Sequence, residues 1–87
     1  MNEETPKVSP DDLEERNGLT YKKLTDVPFT GLVEQKWNNG QLRIKVPYKD
    51  GKKDGVEEEY YDNGQLNSKL TYKNGEIINV DFQNSLF

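Results

Sequence analysis

The chain has 87 residues, a formal net charge of −4, no cysteine and no histidine, and only 31% of its residues are hydrophobic. A chain of this length forms one domain at most and buries only about 60–65% of the surface that its unfolded form exposes. The lack of cysteine excludes disulfides and thiolate metal sites, and the lack of histidine removes the commonest general base. Most hydrolase chemistry is therefore disfavoured, and the sequence predicts a protein that is not an enzyme and has no cofactor.

The acidic charge is concentrated at the N-terminus. Residues 1–16 carry six acidic and two basic side chains, whereas residues 17–87 carry ten of each. Nucleic-acid binding is not expected, because affinity for phosphates requires an excess of Lys and Arg. Residues 1–12 read as a disordered acidic leader whose removal should leave stability nearly unchanged, because besides Met1 they hold one apolar side chain, Val8.

The start of the chain leaves the compartment open. The first residues have neither a basic n-region nor an apolar h-region, which favours the cytoplasm if Met1 is the native start. If a leader has been removed, the polar segment is typical of a periplasmic or lipoprotein-anchored protein. No apolar run approaches the eighteen or so residues of a membrane span, so direct membrane insertion is not expected.

Two segments repeat without a gap at a spacing of 24 residues. Residues 31–54 and 55–78 are identical at ten aligned positions, and WNNGQL in the first returns as YDNGQL in the second. A period in the range of 20–50 residues indicates an array of supersecondary units.

Each repeat reads as a β-hairpin. Asn39-Gly40 and Asn63-Gly64 predict two-residue type I′ turns at the tips, and the strand after each tip alternates apolar and polar residues. Such turns fix which residues face each other across the strands. The predicted opposed pairs are Trp37 with Leu42, Val33 with Val46, Glu34 with Lys45, and Glu58 with Lys69.

Partial units flank the two hairpins. Residues 19–31 resemble the end of a preceding unit with a connection three residues longer, and residues 77–82 begin a unit that does not close. The sequence thus predicts an all-β fold, a single-layer antiparallel β-meander of about six strands over residues 13–82. Residues 83–87 are expected to form a loose tail.

Three motifs together resemble a known family. They are the segment Pro28-Phe29-Thr30-Gly31, the repeated NGQL, and the pattern YKxGxxxG over residues 48–55. The chain is similar in these to the bacterial MORN-repeat variant family, which is described as the antitoxin component of a toxin–antitoxin system of the YwqK type. The resemblance covers residues 17–82 and implies an antitoxin-like protein that binds and occludes a toxin.

One stretch departs from the family pattern. Relatives carry an aromatic-rich strand similar to GxWxxYYxNG before the tip, whereas the second unit reads GVEEEYYDNG. Glu57 and Glu59 therefore fall on the apolar face of the predicted sheet. Two carboxylates with no lysine beside them on that face favour a basic partner, because burial of an unpaired charge is costly.

The candidate site is an aromatic stripe with these acids. The predicted partner-binding residues are Trp37, Tyr48, Glu57, Glu59, Tyr61 and Tyr72. A catalytic dyad of Glu57 and Glu59 is disfavoured, since one sheet offers little depth for a water-poor pocket. The favoured function is a non-catalytic protein-binding module that occludes a basic partner, with self-association as another use of the stripe. The alternative is an envelope-associated structural or accessory repeat protein.

Overall fold

The computed structural model describes residues 7–82, which are built almost entirely from short β-strands. In chain order the strands are β1 (Lys7–Val8), β2 (Leu13–Arg16), β3 (Leu19–Lys22), β4 (Gly31–Lys36), β5 (Leu42–Lys49), β6 (Lys52–Lys53), β7 (Gly55–Tyr60), β8 (Leu66–Lys73) and β9 (Glu76–Phe82).

The main sheet is a meander. Strands β4, β5, β7, β8 and β9 are antiparallel neighbours in that order, β6 pairs with the end of β5, and β1 joins β4 in parallel. The all-β antiparallel meander built from hairpin units is therefore confirmed. Strands β2 and β3 form a separate hairpin of their own.

The register of the two hairpins is the predicted one at their bases. Val33 faces Val46, Glu34 faces Lys45, and in the second unit Glu58 faces Lys69. Near each tip the register shifts by a β-bulge, so that Leu42 faces Lys36. The predicted pairing of Trp37 with Leu42 is therefore wrong.

The bulge follows from the length of the tip loop. Trp37 donates its amide to the Gln41 carbonyl at 2.8 Å, which leaves a loop of three residues ending at Gly40 with φ 90°. The equivalent amide of Tyr61 donates to the Gln65 carbonyl at 2.9 Å. These are three-residue loops with a glycine in the left-handed region, so the predicted two-residue turns at 39–40 and 63–64 are wrong.

Two-residue type I′ turns occur instead at the joins between units. Both central residues have positive φ at Asp50-Gly51 (51° and 86°) and at Asn74-Gly75 (52° and 86°). At the tips Asn39 keeps a negative φ, and its side-chain oxygen accepts the Gln41 amide at 2.9 Å. An Asn-Gly pair thus predicts a turn but does not fix its length, because the Asn side chain competes with the backbone as an acceptor.

The N-terminal segment covers one edge of the sheet. Val8 lies beside Val33 in the parallel β1–β4 pair, and Pro10–Asp12 form a short 3₁₀ turn. The predicted disordered leader over residues 1–12 is therefore wrong for residues 7–12, because Val8 packs on the core. Residues 1–6 and the predicted tail over 83–87 lie outside the described residues. No helical segment within residues 7–82 has the length and apolarity to cross a membrane.

The hydrophobic core lies under the β2–β3 hairpin. Phe29, Val33 and Val46 are buried, and Leu13 of the hairpin packs against them. The face of the first hairpin unit is thus covered by a second layer formed by the chain itself, which the prediction of a single layer did not include.

Candidate partner-binding site

Equivalent positions of the two units carry different chemistry. Lys53 lies 24 residues after Phe29, and Glu57 lies 24 residues after Val33. In the first unit the Phe29 ring lies 6.0 Å from the Tyr48 ring. In the second the Lys53 Nζ atom lies 4.9 Å from the ring of Tyr72, which is the repeat equivalent of Tyr48. The second unit thus has a cation–π contact where the first unit has an aromatic contact.

The buried acid of the second unit has a partner. Glu57 is only 4% exposed, and its Oε1 atom lies 3.1 Å from Lys53 Nζ. Burial lowers the pKa of Lys53, but the hydrogen bond and charge of Glu57, with smaller contributions from Tyr72 and Tyr48, leave it above the ordinary 10.5. The expectation that no lysine lies beside these acids is wrong. Lys53 was missed because it precedes β7 in the separate strand β6, although its alignment with Phe29 could have placed it on this face.

Glu59 is the less compensated acid of the pair. Its side chain is half-buried next to Glu57, and Glu59 lies opposite Ile44 of the neighbouring strand β5. Burial raises the pKa of Glu59, and a hydrogen bond and the charge of Glu57 raise it further, whereas Lys53 and Arg43 act in the opposite direction. Lys53 forms its ion pair with Glu57, and Lys53 and Arg43 only partly offset the effect of burial on the Glu59 carboxylate.

The aromatic residues of the tips are held by the neighbouring unit. The half-buried Trp37 donates its indole N–H to the Tyr60 carbonyl at 3.2 Å, and the Arg43 guanidinium lies 4.9 Å from its ring. Asn39 donates a side-chain hydrogen bond of 2.7 Å to the Asp62 carbonyl, which ties one tip to the next. Tyr61 is 36% exposed beside this contact.

The predicted site residues form two groups instead of one stripe. Trp37 and Tyr61 lie at the tips, whereas Tyr48 and Tyr72 lie at the joins, six residues along the strands and thus about 20 Å away. Tyr48 packs against the core cluster under the β2–β3 hairpin. The second-unit face comprises Lys53, Glu57, Glu59 and Tyr72. Glu57 is buried on it, and Lys53 also lines a groove below the β2–β3 hairpin.

The chemistry of this face is electrostatic and hydrogen-bonding. Within residues 7–82 no three potential metal-ligating side chains come together. The functional groups available to a ligand are the Glu59 carboxylate, the Tyr72 ring edge and, at the tips, the Trp37–Arg43 pair and Tyr61. Trp, Tyr and Arg are enriched among the residues that dominate protein–protein contacts.

Repeating hairpins that pair edge to edge define the chain as a β-hairpin repeat protein. The MORN repeat variant family matches residues 29–50 and 53–74, which together make up half of the chain. The chain therefore belongs to the MORN repeat variant family, whose repeats are generally modules for binding proteins or membranes and generally non-catalytic. No curated protein and no solved structure matches the chain in the same comparisons.

Proposed function

We propose that this chain is a non-catalytic protein-binding module whose contact surface is the second-unit face together with Trp37 and Tyr61 of the tips. The observation that carries the proposal is the pair of acids on that face. Glu57 is neutralised by Lys53, and Glu59 remains as a half-exposed carboxylate in an environment that disfavours its charge. A lysine or arginine of a partner relieves this cost by pairing with Glu59.

The partner of this proposal is a basic protein, and the action is occlusion. The module covers a basic surface of its partner through Glu59 while Tyr72 and the tip aromatics supply apolar contact area. An antitoxin that blocks a small basic toxin acts in this way. Tyr48 and Glu57 support the surface from within, because one packs on the core and the other is buried.

A titration with charged peptides tests this surface. The protein is labelled with ¹⁵N and titrated with an arginine- and lysine-rich peptide and, separately, with an aspartate- and glutamate-rich peptide of the same length. We expect amide shifts around Glu59, Tyr61 and Tyr72 with the basic peptide alone, and a change in the fluorescence of Trp37, the single tryptophan.

Matched variants separate a specific contact from general attraction by an acidic protein. Glu59→Gln and Glu76→Gln each remove one negative charge, but Glu76 is exposed on β9. Glu59→Gln should weaken binding of the basic peptide by at least about threefold, and Glu76→Gln should not. Equal loss in the two variants, or shifts with the acidic peptide, would place the contact elsewhere. Glu57→Lys is not a suitable probe, since it would set a second ammonium against Lys53.

A further inference from the structure

The loop between β3 and Phe29 exposes two apolar side chains that are not part of the hydrophobic core. Leu24 is fully exposed (101%) and Val27 is 73% exposed. Leu24 also has φ 69°, in a turn closed by the Thr25 amide donating to the Lys22 carbonyl at 3.2 Å. A non-glycine residue is strained at this φ. Glycine would avoid both the strain and the exposure, and no contact within the described residues accounts for the leucine.

Arg16 holds this loop in place. Its guanidinium donates to the Thr25 carbonyl, lies 3.3 Å from Asp26 Oδ1 and stacks 4.0 Å from the Tyr21 ring. The Lys23 amide donates to the Asp12 carbonyl at 2.8 Å. The apolar side chains are therefore presented on an ordered loop, and binding through them loses little conformational entropy.

An apolar groove lies between the β2–β3 hairpin and the sheet. Its volume is about 330 Å³, which is more than enough for a leucine side chain. The apolar lining residues are Pro10, Leu13, Val33, Ile44, Val46 and Tyr48. Two carboxylates of β2, Glu14 and Glu15, lie along it, and Glu15 is exposed.

The loop and the groove are complementary in charge as well as in polarity. Leu24 follows two exposed lysines, Lys22 and Lys23, whereas the groove has the exposed Glu15 at its margin. Glu14 beside it pairs with Arg16, and Lys53 also lines the groove. We propose that the partner of this loop is a second copy of the chain, with Leu24 of each copy seated in the groove of the other. A two-fold axis makes both contacts at once, because a symmetric dimer uses the same surface on each subunit.

This contact centres on Leu24 and on the groove of the first unit, whose lining also includes Lys53 of the second-unit face. It goes beyond the proposed function and does not depend on it. Loss of peptide binding on Glu59→Gln with self-association unchanged, or the reverse, tells the two proposals apart.

Sedimentation equilibrium of the full chain from about 10 μM to 1 mM tests the dimer. Wild-type protein should show a concentration-dependent dimer, and Leu24→Gly should raise the dissociation constant at least about tenfold. The same variant should unfold at an equal or higher urea concentration, because glycine accepts the positive φ. The matched control is Ile78→Thr, which removes a 61%-exposed apolar side chain from β9 and should leave association unchanged.

Charge reversal tests the orientation. Lys22→Glu and Glu15→Lys should each weaken self-association, since both contacts of each homodimer then oppose like charges. An equimolar mixture of the two variants should recover the dimer, because in the heterodimer both contacts join opposite charges. A monomer throughout the concentration range, no recovery on mixing, or loss of association in Ile78→Thr with Leu24→Gly unaffected would overturn the proposal.

Discussion

Lys53 and Glu57 stand where the first unit has Phe29 and Val33, and the two pairs fill their space differently. Phe29 and Val33 lie under the β2–β3 hairpin and are buried among apolar side chains. Lys53 is half-buried and lines the groove below this hairpin, and its ammonium pairs with the 4%-exposed Glu57. The second unit thus replaces an apolar contact with a charge-compensated one.

Removing one partner of this ion pair should destabilise the protein more than replacing both partners. Lys53→Met leaves a carboxylate that is 4% exposed without its ammonium, and we expect a loss of about 1–3 kcal/mol in the free energy of unfolding. The double variant Lys53→Phe with Glu57→Val copies the first unit and should recover most of that loss. Urea unfolding of Lys53→Phe, Glu57→Val and the double variant gives the coupling energy. Additive effects would show that the pair does not stabilise the fold.

The pH dependence of stability should carry a signature of Glu59. Its pKa in the folded protein lies above the ordinary 4.5, so the folded state binds more protons than the unfolded state between these values. Stability therefore falls as the pH rises through that window. Glu59→Gln removes this effect and should stabilise the protein at pH 7 by up to about 1 kcal/mol.

Urea unfolding at pH 7 and pH 3.5 measures the Glu59 effect. At pH 3.5 the carboxyl is largely protonated in both states, and the variant should be close to wild type. Glu76→Gln, at an exposed position, should change neither value. A stabilisation that is the same at both pH values would exclude Glu59 ionisation as its cause.

At the scale of the turn, glycines with similar φ differ in what surrounds them. A Cβ atom at Gly51 would lie 3.1 Å from the Cβ atoms of Leu19 and Pro28, whereas one at Gly40 would meet nothing within 4 Å. Gly40→Ala should therefore cost only the backbone strain, about 1 kcal/mol, and Gly51→Ala distinctly more. Urea midpoints at constant m-value compare the two. Equal losses of stability would mean that the neighbours of Gly51 shift to make room for the added methyl group.

A β-branched variant at the same tip should cost more than the alanine variant. Gly40→Val should destabilise by more than about 1 kcal/mol, because a β-branched residue tolerates the left-handed region poorly and Gly40 has φ 90° in the three-residue loop. Unchanged stability would mean that the tip adopts another conformation.

The hairpins were predictable because their signals are local, and the covering layer was not. The alternation of apolar residues and the aligned charges fix Glu34 opposite Lys45 without knowledge of anything distant. The position of β2 and β3 depends instead on Leu13 finding the core, a contact across the chain that no local period encodes. For the site, the departure of the second unit from the aromatic-rich family pattern singled out Glu57 and Glu59. Predicting the environment of these two acids would also have required Lys53, which the turn at Asp50-Gly51 brings beside them.

At the scale of the whole molecule, the N-terminal segment should stabilise the domain. Deletion of residues 1–12 removes the β1–β4 pair, the packing of Val8, and the Asp12 carbonyl that accepts the Lys23 amide. We expect a loss of about 1–3 kcal/mol, since a half-buried valine and one strand pair are removed. Thermal unfolding measures it. Deletion of residues 1–6 is the matched control, because it retains every contact named here, and an equal effect of the two deletions would contradict the assignment.

One edge of the sheet is capped, so an engineered array of repeats can be extended from the other side. Beside β4 the strand β1 and the 3₁₀ turn occupy the edge, so additional modules belong after the first unit. An inserted copy of residues 53–76 would carry Lys53 and Glu57 together, whereas a copy of residues 29–52 would expose a second Phe29 and a second Val33. A longer, soluble designed array should therefore be obtained by multiplying the second unit and keeping the first as its single starter module.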